Sequence, residues 1–142
     1  PGKELIERLC VAGDRGVKVE ILLPGPHADK RFVQQAGQSV FERLLRHDVR
    51  IWRFRPSMLH AKIMTVDGLV ANVGSANFNA RSTELDEEIN LVALDPALVR
   101  LLDEQFDDDL DRSEEIDADR WRDRSLRRRV LEGLTKPLRH KI

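Results

Sequence analysis

The sequence predicts an α/β fold, a mixed β-sheet flanked by helices on both faces in an α-β-α sandwich. Short runs of branched apolar residues alternate with longer stretches of helical apolar spacing, the pattern of strands and helices in layers. Gly/Pro clusters such as Pro24-Gly25-Pro26 punctuate the alternation. At 142 residues, 41% hydrophobic and 35% charged, the chain can bury a single core but not two.

Residues 3–13 read as a helix, because Leu5, Ile6, Leu9 and Cys10 recur at helical spacing and Gly13 supplies a stop. Residues 17–23 read as a strand, rich in Val, Ile and Leu, entered through Gly16 and ended at Pro24. Helical spacing returns over 30–46 through Phe32, Val33, Val40, Phe41, Leu44 and Leu45. Residues 49–54 alternate apolar and basic, which predicts a strand with one face buried, closed by Pro56. Two short strands, 61–66 and 69–73, are separated by Asp67-Gly68, a pair suited to a tight hairpin turn, so at least one strand pair is antiparallel. Residues 88–94 form another strand. Asp95 then caps a helix with Pro96 at its first position, running through Phe106 toward Leu110.

The net charge of −1 conceals segregation along the chain. Residues 1–102 carry 14 basic and 13 acidic groups, residues 103–119 ten acids against Arg112 alone, and residues 120–142 nine Lys/Arg against Asp123 and Glu132. The expected organisation is a catalytic domain over 1–112, then an acidic linker and a basic amphipathic tail over 113–142. The tail sets Trp121, Leu126, Val130, Leu131, Leu134 and Leu138 beneath a cationic face. The acids of 103–119 lack a fixed ligand spacing, so no metal site is expected there. The lone Cys10 excludes an internal disulfide and, between Leu9 and Val11, reads as a buried helical thiol. No apolar run approaches the roughly 20 residues that span a bilayer. Pro1-Gly2, without Met or a signal-peptide core, suggests a processed chain or a part of something longer.

The chemistry concentrates in His60-Ala61-Lys62, then Asp67, then Gly74-Ser75-Ala76-Asn77. In a strand, positions two apart share a face, so His60 and Lys62 enter one pocket together. A hairpin after Asp67 returns the chain so that Ser75 and Asn77, again two apart, add a hydroxyl and an amide beside them. A titratable imidazole, a fixed cation and neutral donors suit a phosphate ester better than a carbonyl substrate. Asp67 itself is more natural as a turn former than as an acid–base group.

These residues resemble the H-x-K-x(4)-D-x(6)-G-S signature, the HKD motif, of the phospholipase D superfamily. The match is complete across 59–77, continues through Phe78-Asn79-Ala80-Arg81-Ser82 and Glu88-Ile89-Asn90, and with the upstream elements covers about residues 3–112. It is most like the C-terminal half of a bacterial cardiolipin synthase. The resemblance implies a phospholipase D-like domain and a catalytic His60, as phosphohistidine nucleophile or general acid. It implies phosphoryl-oxygen binding by Lys62, Ser75 and Asn77, a Glu88 that orients His60, and structural roles for Asp67 and Gly74. It implies neither metal nor organic cofactor.

The family builds its site from two such motifs, and this chain has one: His27, His47 and His140 are followed two residues later by Asp29, Val49 and Ile142. A second motif therefore comes from a homodimer mate or from a missing N-terminal half, the latter favoured by the absent Met. The implied function is phosphatidyl transfer on a phospholipid substrate, in cardiolipin synthesis, this chain being the second catalytic half. The alternatives are a single-motif homodimeric nuclease, disfavoured by the near-neutral body, and a non-catalytic lipid-binding or dimerisation half. The tail would meet an anionic membrane surface through residues 120–142, placing the protein peripherally on the cytoplasmic side of the cell membrane.

Overall fold

The computed structural model describes residues 2–25, 38–77 and 87–117, which form three helices and six strands. Helix α1 (Lys3–Asp14) turns Ile6, Cys10 and Gly13 inward, positions that stack on one helical face. It closes in a Schellman motif: Gly16, at φ +79°, donates its N–H to the Gly13 carbonyl (2.8 Å), and Val17 donates to that of Ala12 (3.1 Å). Val17, read from sequence as the first strand residue, thus belongs to the helix cap. Strand β1 is accordingly Glu20–Pro24.

Helix α2 (Gln38–Arg46) leads into β2 (Arg50–Phe54), which pairs parallel to β1 with Glu20 opposite Arg50 and Pro24 opposite Phe54. The predicted helical stretch 30–37 lies outside the described residues. Ile51 is fully buried among Ile6, Cys10, Phe41, Leu44, Val49 and Ile116, the core beneath α1 and α2. Trp52 and Phe54 alternate to the opposite face and are buried as well. The expectation of one buried face on this strand is therefore corrected. Residues 96–111 pack against β2 and the Arg112 guanidinium lies over the Phe54 ring, so the second face is covered as well.

Its other neighbour is β6 (Ser113–Glu115), antiparallel, with Trp52 opposite Glu115 and Phe54 opposite Ser113. Residues 113–116, read from sequence as linker, are part of the domain. Arg50 holds Glu115 through two bonds, Nε to Oε1 at 2.9 Å and Nη2 to Oε2 at 3.1 Å, and Arg55 pairs with Glu114. The Glu115 hydrogen bond, reinforced by the charges of Glu115 and Glu20, raises the pKa of Arg50 above its ordinary value. Ile116 then donates its N–H to the Ile51 carbonyl (2.8 Å) and enters the core. Glu114 and Glu115 stay exposed but are paired by Arg50 on β2 and Arg55 just after it, so this part of the acidic run belongs to the sheet. The tail from residue 118 onward lies outside the described residues.

The expected mixed sheet is thus β1–β2–β6, and the remaining strands form a second, antiparallel one, β3 (Ile63–Val66), β4 (Val70–Gly74) and β5 (Asn90–Leu94). Helix α3 (Pro96–Asp111) packs against strands of both. Asp95 caps it as predicted, its Oδ1 accepting from the N–H groups of Ala97 (2.9 Å) and Leu98 (3.1 Å). Val99 is fully buried, and Asp103 accepts the Thr65 hydroxyl at 2.6 Å, which ties α3 to the Thr65/Ala71 face of the second sheet. At its C-terminal end Arg112 lies 5.6 Å over the Phe54 ring, on the first sheet. The opposite face of β3–β4–β5 is left for the site.

Candidate active site

His60, Ala61 and Lys62 lead into β3, and the ladder reaches back to Lys62, whose carbonyl accepts the Gly74 N–H at 3.1 Å. Ladder partners share a face, so Lys62, Gly74 and Asn90 stand in one row across the three strands. This parity is opposite to that of Thr65 and Ala71, and the row therefore faces away from α3. His60 joins it: the Lys62 Nζ lies 2.6 Å from the His60 Nε2. With the ammonium donating, Nε2 accepts through its lone pair, and the contact holds imidazole and ammonium side by side. The shared face predicted from the i, i+2 spacing is observed. His60 is exposed and Lys62 half-buried, so the pair is open to a substrate.

Asp67 and Gly68 form the hairpin tip at φ +53° and +69°, closed by the Leu69 N–H on the Val66 carbonyl (3.0 Å). The whole of β3 separates Asp67 from His60. Asn tolerates this left-handed conformation about as well as Asp. Asp67→Asn is therefore expected to leave both melting temperature and turnover nearly unchanged, whereas Asp67→Val is expected to lose about 1–2 kcal/mol of stability. Calorimetry and a phosphodiesterase assay check both variants. A large loss of turnover in a normally stable Asp67→Asn protein would put Asp67 in the site.

At the other end of the hairpin, β5 approaches β4 closely. A Cβ on Gly74 would lie 1.9 Å from Asn90 Oδ1, 2.3 Å from the Ile89 carbonyl oxygen and 2.7 Å from Asn90 Cα, so no other residue fits. Ser75 donates its N–H to the Ile89 carbonyl (2.9 Å), and its hydroxyl accepts the Ile89 N–H (3.0 Å). Asn77 follows, half-buried, at the last described position before residue 87. Glu88 is half-buried just ahead of β5, and among the described residues no hydrogen bond joins it to His60. His60, Lys62 and the Gly74–Ser75 corner are thus brought together.

Sequence reasoning passed over Asn90. Its Oδ1 accepts the Ala76 N–H at 3.3 Å and fills the space above Gly74. The one signal available was its place in the Glu88-Ile89-Asn90 run, two residues after the glutamate.

Residues 1–110 match the family described as "Cardiolipin synthase, PLD-like domain". The chain is 38% identical over 133 residues to cardiolipin synthase 2 of Bacillus anthracis and 37% identical over 134 residues to cardiolipin synthase A of Yersinia pseudotuberculosis. Each alignment takes in 94% of this chain but only 26% and 27% of those proteins, so the chain spans about a quarter of their length. Among solved structures it is similar to Nuc from Salmonella typhimurium, a phospholipase D family member. There the TM-score is 0.70 at 18% identity, covering 81% of this chain and 74% of Nuc.

Proposed function

The chain belongs to the cardiolipin synthase family of PLD-like domains, within the phospholipase D superfamily, and on that premise we propose that it supplies one catalytic half of a phosphatidyltransferase acting in cardiolipin synthesis. The observation that carries the proposal is the His60–Lys62 contact of 2.6 Å on an open sheet face, within a chain 38% identical to a cardiolipin synthase.

The chemistry is phosphodiester exchange in two displacements. A histidine nitrogen attacks phosphorus and the first alcohol leaves with a proton from a general acid. A second alcohol, giving up its proton to the same group, then displaces the histidine. His60 is one of the two imidazoles, nucleophile or acid, and the second comes from another H-x-K, which this chain lacks. Lys62 beside it neutralises charge on the non-bridging oxygens, where a fixed ammonium stabilises the transition state more than the substrate. Ser75 and Asn77 contribute at the same corner, and Glu88 orients His60 once the site is complete.

Among the described residues no helix is long and apolar enough to cross a membrane. We assign membrane contact to the basic segment 120–142, whose arginines would meet lipid phosphates at roughly 1 kcal/mol each.

Vesicles of phosphatidylglycerol test these assignments together. The active protein is expected to transfer phosphatidyl groups between the lipids and to sediment with the vesicles less as salt rises, and a chain ending at Asp119 should lose that salt-sensitive binding. Hydrolysis of DNA with no lipid product would replace this reading with a nuclease. Equal sedimentation by the shortened chain would remove the tail from the membrane.

A further inference from the structure

In an antiparallel ladder, a hydrogen-bonded pair exchanges N–H···O=C bonds in both directions. Where β4 leaves β5 this exchange is altered. Ser75 donates its N–H to the Ile89 carbonyl (2.9 Å), but the return bond from the Ile89 N–H goes to the Ser75 hydroxyl (3.0 Å). One residue on, the Ala76 N–H goes to the Asn90 side-chain oxygen (3.3 Å). Two side chains thus finish the ladder as the main chain turns away. The peptide they hold leads directly to Asn77.

Gly74 makes this possible. The Asn90 carboxamide oxygen lies 1.9 Å from where a Gly74 Cβ would be, so the carboxamide rests over the bare backbone of β4. Asn90 stands in the Lys62–Gly74–Asn90 row, on the His60 face, and two residues after Glu88. One carboxamide therefore fixes the start of β5, two residues after Glu88, against the turn that carries Asn77.

We propose that Asn90 is a positioning residue of this site, whose side-chain oxygen, holding the Ala76 N–H above Gly74, fixes the turn that presents Asn77 beside His60 and Lys62. The assignment rests on reading the site as one for phosphodiester transfer. Ser75 acts with Asn90 by holding Ile89. Without Asn90, the Ala76 N–H has no partner on β5, the Ser75–Asn77 turn loses its register, and a displacement of the order of 1 Å at a charge-stabilising donor costs rate more than it costs binding.

The test compares Asn90→Ala, which removes the acceptor, with Asn90→Asp, which keeps an oxygen at the same reach, in the active protein on bis-para-nitrophenyl phosphate, each at its own pH optimum. Asn90→Ala is expected to lower kcat roughly tenfold to a hundredfold with KM within about threefold. Asn90→Asp is expected to recover most of that loss, with melting temperatures alike in all three proteins. Hydrogen exchange of the Ala76 amide supplies a readout that needs no turnover: roughly tenfold faster in Asn90→Ala, and near the original rate in Asn90→Asp. Should Asn90→Ala fail to fold, Asn90→Ser, one bond too short to reach Ala76, takes its place. Unchanged kcat, equal impairment of both variants, a loss confined to KM, or an Ala76 amide indifferent to Asn90 each overturns the assignment. An unsubstituted protein that turns over no phosphodiester, with Ala76 exchange behaving as described, overturns the phosphodiester reading and leaves the latch standing.

Discussion

His60→Ala in the active protein is expected to cut phosphodiester turnover by roughly 10² to 10⁴, the range for a lost acid–base group, and by more if His60 is the nucleophile. The fold should not notice. His60 is exposed, it fills no core space, and its partner Lys62 can hydrate once the imidazole is gone. The melting temperature should therefore stay within about 1–2 °C of the original, since surface substitutions of this kind rarely exceed about 0.5 kcal/mol. Near-original turnover in verified pure variant would remove His60 from the mechanism.

Gly74→Ala is expected to damage both stability and chemistry. The added methyl would meet Asn90 Oδ1, the Ile89 carbonyl oxygen and Asn90 Cα at 1.9, 2.3 and 2.7 Å, and two of these are backbone atoms that cannot rotate away. Strand β5 must move off β4. We expect a loss of about 2–4 kcal/mol, read as a fall in melting temperature of more than about 5 °C, together with a loss of turnover as Ser75 and Asn77 shift. Gly68→Ala is the control, because that glycine has open space around it and only its φ of +69° to protect. It should cost about 1 kcal/mol and leave turnover intact. A Gly74→Ala protein as stable and active as the Gly68→Ala one would contradict the close approach of β4 and β5.

Sequence periodicity reached most of this fold because the forces it reports are local. The spacing of Ile6 and Cys10, the breaker at Pro24, the Asp67-Gly68 turn and the Asp95-Pro96 helix start all act within a few residues, and each stands where expected. What escaped was set by partners distant in sequence. Glu114 and Glu115 read as linker until Arg55 and Arg50 are placed beside them, 59 and 65 residues away. The face that carries Trp52 and Phe54 is covered by partners far along the chain, α3 against β2 and Arg112 over the Phe54 ring. The same division holds in the site. His60 and Lys62 were legible because two-residue spacing fixes their shared face, whereas Asn90 became legible only when Gly74 was seen to leave room for it. A glycine states that something comes close but not what.

In the proposed function this chain carries one histidine of a two-histidine site, which phosphodiester turnover of the 142-residue chain, with its association state determined by sedimentation in the same buffer, puts to the test. As a monomer it should turn over poorly, and any strong activity should sediment with a symmetric dimer and disappear when that dimer is dissociated. Full activity in a demonstrated monomer would show that His60 needs no second histidine, and the chain would not be half of a site.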